Sequence, residues 1–534
     1  MVVPELRPWR AARPHVVRFA NAVRPRLARA ATPVKPRVAR LTRAVKPQLA
    51  RVPGTTAART WQYTAGAATA GLALAAGVVT AAGPWDANGQ RTAERDRAVA
   101  LERPGGADHD RKPVAAADEP RPAPSAASVL AGLGGGAVTV KSEPGGKPGK
   151  ALTDVLGPLL GSPALGGSHT AAVVDVTTGK RLYGTGETTA LTPASTTKIA
   201  TAVAALSALG PDHRLTSRTA LEPDTRELVL VGGGDPTLTA HPKPDGWASL
   251  RTLATATARS LKGRGIREVT LSYDTTLYSG PELHPIGVND NLAPVSALMA
   301  DEGRTDDSAS GPATRVSDPA ADAARKFAGF LQAAGIKATA PGPSKATGRA
   351  TTLATVSSPP LSDLVERMLT NSDNDIAEAL LRQTAAATGG RASFDGGAQA
   401  VAAQLKRLGL PMSGAVFHDG SGLNRDDRLT ADLLTALLVK AGSASRPDLR
   451  PVLTGLPVAG FTGTLTTRYT DGAAGIVRAK TGTLTGVNAL AGTVVDQDGR
   501  LLAFAFLASG TTSPLDAQAA LDQAATALAG CGCG

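Results

Sequence analysis

Cysteine is almost missing from this chain: among 534 residues there are two, Cys531 and Cys533, both in the terminal GCGCG. A C-x-C pair either closes a strained disulfide outside the cell or joins ligands from elsewhere around a metal. Two thiols without clustered histidine are too few for a metal site. No function is assigned to them, and no cofactor or metal is expected. His169, His213, His241, His284 and His418 are scattered singly. Neither a Ser-His-Asp order nor an HExxH motif stands out, so these histidines read as surface or structural residues.

Negative charge is nearly absent from residues 1–60, which hold 14 Lys and Arg against Glu5 alone. That leaves 43 basic and 44 acidic residues for the rest, so the overall charge of +12 belongs to the N-terminus and the body is near neutral. A nucleic-acid partner is therefore not expected. The basic segment, rich in Pro and Ala, reads as a disordered tail. Charge of either sign is then absent from Thr60 to Trp85, with Trp61, Tyr63 and Trp85 as brackets. Residues 61–83 are long and apolar enough for one membrane-spanning helix, and the Arg excess before them keeps the N-terminus inside. VTAAG resembles a signal-peptidase site, but a preceding basic region of 60 residues exceeds an ordinary signal peptide. Retention as an anchor follows, with everything beyond it outside the cytoplasm.

Residues 84–150 alternate charge with Pro, Gly and Ala, a linker composition. Ordered patterning begins near Ala151. Two strands flank TTGK, a helix follows Ser195, and RLTSRTAL with ELVLVGGG reads as a hairpin. Helices are expected over 249–262 and 319–334, with the strand REVTLSYD between them. The pattern resets at Pro359 and Pro360. Two amphipathic runs broken at TNSDN, a helix over 430–441, antiparallel strands turning at DQDG and a last helix over 514–529 follow. The class is α+β: one discontinuous domain, 151–211 with 356–534, in which 212–355 is an inserted accessory module expected to supply no catalytic group.

Ser195 and Lys198 (STTK) lie three residues apart, almost one helical turn, and so share a face. Alone the pattern is loose, since serine favours helix caps and lysine favours helices. SDN (Ser372 to Asn374) in a loop and KTGT (Lys480 to Thr483) on a strand change its weight. The three motifs in this order are the active-serine signature of penicillin-binding proteins and serine β-lactamases. Ser195 needs a base, and Lys198 serves if burial and a second cation, Lys480, favour its neutral amine. Ser372 can relay a proton and Asn374 can bind substrate backbone. Lys480, Thr481 and Thr483 can hold a carboxylate beside Gly482, and the Ser195 and Thr483 amides are the expected oxyanion donors.

From residue 151 onward the chain resembles the class C low-molecular-mass penicillin-binding proteins, the D-alanyl-D-alanine carboxypeptidase/endopeptidase family. Beyond the motifs, the resemblance rests on GGGDPTL, APVSALMADE, SDNDIAEALLR, DGSGLNR and LPVAGFTGTLTTR. It implies a penicillin-binding-protein/serine β-lactamase-like transpeptidase domain, an antiparallel sheet flanked by helices, interrupted by an insertion between the first two motifs. The 173 residues separating Lys198 from Ser372 are fewer than in the fullest members, so a third lobe is expected to be reduced or missing. The implied activity is hydrolysis of peptidoglycan stem peptides, at a terminal D-Ala or a D-Ala cross-link, with β-lactams as covalent inhibitors. An inactive wall-binding scaffold is the alternative, and a β-lactamase or esterase stands third. Class A β-lactamases rely on a glutamate downstream of SDN, and none follows Glu378, here assigned to the AEALL helix face.

Overall fold

The computed structural model describes residues 151–339, 341–469 and 472–532. The basic tail, the 61–83 span, the linker and Cys533 lie outside the described residues. Among the described residues, no helix is long and apolar enough to cross a membrane.

Helix α1 (Leu152–Leu160) leads into strands β1 (Ser168–Asp175) and β2 (Arg181–Thr185), then helix α2 (Thr197–Leu209). Three C-terminal strands complete this sheet: β9 (Arg478–Leu484), β10 (Val487–Val495) and β11 (Leu501–Ser509), in the order β2-β1-β11-β10-β9. All pairings are antiparallel, with Ala172 opposite Ala505 and Ala491 opposite Lys480. Successive side chains of a strand point to opposite faces. Ala172, Ala491, Ala503 and Ala505 accordingly join one core, and Val173, Leu490, Phe504 and Phe506 join another. Helices cover both faces, so β10 and β11 are buried almost throughout.

The first face is covered by α2 and by the helices of the middle segment. In chain order, the insertion contributes β3 (Thr216–Leu221), β4 (Glu227–Val231), α3 (Leu250–Gly263), β5 (Glu268–Asp274), α4 (Pro319–Ala333), β6 (Lys337–Ala338), β7 (Gly342–Pro343) and β8 (Thr351–Ser357). After it come α5 (Leu361–Asn371), α6 (Asn374–Ala387), α7 (Phe394–Arg407) and α8 (Ala431–Gly442), and after β11 the last helix, α9 (Pro514–Ala529). Residues 197–206 of α2 are all buried. Alanine dominates the helix because a helix surrounded on every side needs small side chains if its neighbours are to close around it.

The insertion forms its own sheet, β6-β5-β4-β3-β8, with β7 also on β5. Strands β3 and β4 make the expected hairpin, whereas β4 and β5 run parallel, joined through α3. Phe327 and Leu331 of α4 fill a third core with Leu228, Leu230 and Leu253. Between β5 and α4 lies a long segment with little regular structure, residues 275–318. It packs back onto α5 through Glu302, which accepts from Arg367, and onto α6 through Ala293 and Arg315, both bonded to Asp375.

Candidate active site

Ala194 adopts φ 47°, a left-handed conformation that costs a non-glycine residue about 1–2 kcal/mol. The single turn Ala194–Thr196 then feeds directly into α2. This leaves Ser195 partly open and Lys198, one turn on, with no exposed surface. Lys198 Nζ donates to Ser195 Oγ at 3.0 Å, to Asn374 Oδ1 at 2.7 Å and to the Ser421 carbonyl at 2.7 Å. An ammonium has three protons, and three acceptors surround it. Removing one proton frees a lone pair, which can face Ser195 if the other two bonds hold. Burial lowers Lys198 to about 8 against the pull of Asp419, Glu378, Asp373 and Asp375. Roughly one amine in ten is then neutral at pH 7.

Ser372 ends α5 in the left-handed region, φ 59° and ψ 38°, and Asp373 caps α6 by accepting the Ile376 N–H at 3.0 Å. That sharp turn puts Ser372 and Asn374 against different lysines. Lys480 Nζ, fully buried on β9, donates to Ser372 Oγ at 2.9 Å and to the Thr481 carbonyl at 2.8 Å. Burial pushes Lys480 well below its ordinary value, helped by the charges of Lys198 and Arg468. Lys198 and Lys480 disfavour each other's charge, and burial is the first cause of the depression at both.

Strand β9 is the end of its sheet and lies beside the nucleophile turn. A Cβ on Gly482 would stand 2.6 Å from the Pro193 carbonyl oxygen, so only glycine lets the strand come this close. Thr481 donates to Thr464 Oγ1 at 3.0 Å, and Thr483 is exposed. Ser195, Ser372, Asn374 and Thr483 line one groove of about 220 Å³. Asn291, Arg304 and Arg315 of the insertion line it too, so the insertion is a wall of the groove rather than a remote module. A larger cavity of about 450 Å³, beside Trp247 and Lys243, contains none of the three motifs.

Two buried networks support the SDN turn, and neither was singled out from the sequence. Arg315 pairs with Asp375 at 3.0 Å, while Arg304 and Arg367 hold Glu302 at 2.9 and 2.7 Å. Burial pushes Asp375 up to about 7 and Glu302 well above the carboxylate range. On the other side, Glu378 has no exposed surface and is pushed up to about 7, first by burial and then by Asp419. It is one turn beyond Asn374, a spacing that could have marked it as sharing the face of the SDN asparagine. His284, counted among the scattered histidines, is buried and 3.0 Å from Asp419.

A lysine-paired serine at the start of a buried helix, facing the edge of an antiparallel sheet covered by helices on both faces, defines the penicillin-binding and serine β-lactamase class. The family described as "D-Ala-D-Ala carboxypeptidase 3 (S13) family" matches residues 152–313 and 306–529. Carboxypeptidase DacB of Mycolicibacterium smegmatis is 39% identical over 402 residues, covering 72% of this chain and 85% of the relative. A D-alanyl-D-alanine carboxypeptidase of an Actinomadura species is 30% identical over 447 residues, 68% of this chain and 82% of the relative. The crystal structure of penicillin-binding protein 4 from Haemophilus influenzae shares the fold, with TM-score 0.58 and 22% identity over 71% of this chain and 98% of that one. That protein is also known in complex with a β-lactam, a structure with TM-score 0.56 to this chain. The chain belongs to the D-Ala-D-Ala carboxypeptidase (S13) family.

Proposed function

We propose that this chain hydrolyses D-Ala-D-Ala termini, D-Ala cross-links, or both, in peptidoglycan peptides through an acyl-enzyme on Ser195. The observation that carries this reading is the meeting of two lysine–serine contacts at one groove, Lys198 to Ser195 at 3.0 Å and Lys480 to Ser372 at 2.9 Å. Neutral Lys198 takes the hydroxyl proton as Ser195 Oγ attacks the D-Ala carbonyl carbon. The amides of Ser195 and Thr483 receive the oxyanion. Collapse breaks the peptide bond, and the leaving amine gains the proton that Lys198 took up, with Ser372, bonded to Lys480, as the proposed relay. Water then attacks the ester with the same base and restores the serine. Lys480, Thr481 and Thr483 hold the substrate carboxylate, Asn374 binds the substrate backbone, and Gly482 allows the strand to close on the nucleophile turn.

An inactive scaffold would have no need of a buried lysine poised near 8 on a serine. A class A β-lactamase needs a glutamate downstream of SDN to drive water onto the ester. Glu378, the last glutamate of the chain, is instead occupied by the backbone amides of Gly420 and Ser421. β-Lactams fit the same reading as slow-leaving inhibitors, because the opened ring keeps its leaving group tethered over the ester.

The substrate lies outside the cytoplasm, which agrees with the anchor read at 61–83. In this proposal residues 1–60 stay cytoplasmic, 84–150 link, 151–211 and 356–534 make the peptidase domain, and 212–355 are its accessory module. A reporter active only outside the cytoplasm, fused after Gly534, should work, and the same reporter at Met1 should not.

For the chemistry, labelled penicillin should remain bound to the peptide containing Ser195 through denaturation, and Ser195→Ala should not label. Mass spectrometry of defined monomeric and cross-linked muropeptides would then separate carboxypeptidase from endopeptidase action. Rapid release of the label, or labelling of Ser195→Ala, would overturn the reading.

A further inference from the structure

Ser421 touches the catalytic lysine only through its backbone carbonyl, 2.7 Å from Lys198 Nζ. What holds that carbonyl in place is a set of buried side chains that do not line the groove. Glu378 of α6 accepts the Gly420 N–H at 3.1 Å and the Ser421 N–H at 2.8 Å. Thr201 of α2 donates to the Gly420 carbonyl at 2.7 Å. Asp419 accepts the N–H groups of Gly422 and Asn424, each at 2.7 Å. Gly422 sits at φ 80°, where a Cβ would be 2.0 Å from the Ala194 carbonyl oxygen, so the same loop presses on the nucleophile turn.

The remaining tie comes from the insertion. His284 Nδ1 accepts the Ile286 N–H at 3.2 Å, which leaves the proton on Nε2, and Nε2 donates to Asp419 Oδ2 at 3.0 Å. Its ring also packs edge-on against Phe394 of α7, centroids 5.2 Å apart.

We propose that Glu378, Asp419 and His284 are positioning residues: together they clamp the 419–422 loop so that the Ser421 carbonyl aims Lys198 at Ser195. This makes the insertion a working part of the catalytic unit. The proposal rests on the acyl-enzyme reading above. Lys198 feels the charges of Asp419, Glu378, Asp373 and Asp375. Glu378 is faced in turn by Asp419 and His284, with Asp427 and Arg382 also in its field. Asp427 is pushed up to about 10 by burial and by Asp419, so it contributes a neutral acid at working pH. Each carboxylate holds a proton on Lys198, and loss of one favours the neutral amine. Loss of Glu378 thus has two separable effects, a misplaced base and a base that titrates at lower pH.

The test uses the full chain, a small thioester substrate and labelled penicillin. Glu378→Gln should lower kcat about tenfold or more, leave KM within about twofold, and move the acid limb of kcat/KM to lower pH. His284→Ala should lose kcat in the same way. His284→Gln, whose amide can donate to Asp419 at similar reach, should recover most of that loss. A wild-type kcat and acid limb in Glu378→Gln overturns the proposal. So does a His284→Gln variant no better than His284→Ala, since packing alone would then explain the residue. If Glu378→Gln does not fold, the His284 pair decides. A wild-type chain that neither turns over nor labels overturns the acyl-enzyme reading, and this proposal with it. A wild type that turns over beside an unchanged Glu378→Gln overturns the positioning role alone.

Discussion

Lys198 and Ser195 share one helical turn with Nζ and Oγ 3.0 Å apart, and the lysine of that pair has no exposed surface. Burial is what converts a good helix former into a base, because water no longer stabilises its charge. With Lys198 near 8, the neutral fraction grows as pH rises toward that value. Turnover of a D-Ala-D-Ala peptide should therefore climb across neutral pH and level off above about 8. Lys198→Arg should abolish penicillin acylation while leaving a folded chain, since a guanidinium stays charged. A rate profile that is flat through neutral pH would contradict this assignment.

Lys480 answers to a different measurement. Because burial is the first cause of the Lys198 depression, Lys480→Ala should move the acid limb only slightly, and toward higher pH. Its effect should fall on recognition of the substrate carboxylate, whose arrival favours the charged amine. Acylation by penicillin should slow by about ten- to a hundredfold, chiefly through weaker binding. Stopped-flow acylation at several penicillin concentrations separates the two constants. A large shift of the limb would make the Lys480 charge, and not burial, the main cause.

Gly482 offers a test of close approach. Adding a methyl group at Gly482→Ala forces β9 away from the Pro193 carbonyl, a contact that would otherwise be 2.6 Å. Overpacking of this kind costs about 1–3 kcal/mol. The thermal midpoint should drop, and penicillin labelling should slow even at temperatures where the variant is fully folded. Unchanged labelling would mean that the strand is free to move.

Arg315 is the insertion's ion partner for the SDN segment, 3.0 Å from Asp375 and 4% exposed. Arg315→Ala leaves a buried carboxylate without its cation, a loss of about 3–5 kcal/mol. Asp375 rises further from its present value of about 7, so the penalty should be smaller at acid pH, where the group takes a proton. Urea unfolding at two pH values measures both effects. Adding Asp375→Asn should recover part of the loss, and a double variant no more stable than Arg315→Ala would argue against a charge origin.

Much of this molecule was legible in one dimension. The apolar runs around TTGK and DQDG located β1, β10 and β11, and the final helix begins at Pro514 and ends at Ala529 as the pattern indicates. The three motifs were readable because the proposed catalysis uses two serines, two lysines and an amide in short local settings, a helix start, a sharp turn and a strand. Asp419, His284, Glu302 and Arg315 were not readable, because each meets a partner distant in sequence, and Glu378 offered only its spacing of one turn from Asn374. His284 and Asp419 are 135 residues apart, and nothing in the local spelling of either distinguishes an exposed polar residue from a buried one.

The sequence by itself determined the groups available for the proposed chemistry: a serine one turn from an amine, a turn that carries a second serine, and a strand with a second lysine. Only the tertiary structure decided that the amine is buried enough to serve as the proposed base. Its state depends on complete burial, on four carboxylates drawn from two loops and a helix, and on a backbone carbonyl held by Glu378 and, through Asp419, by the insertion. Desolvation and field strength are sums over everything that surrounds a group in space, so no stretch of sequence carries them alone.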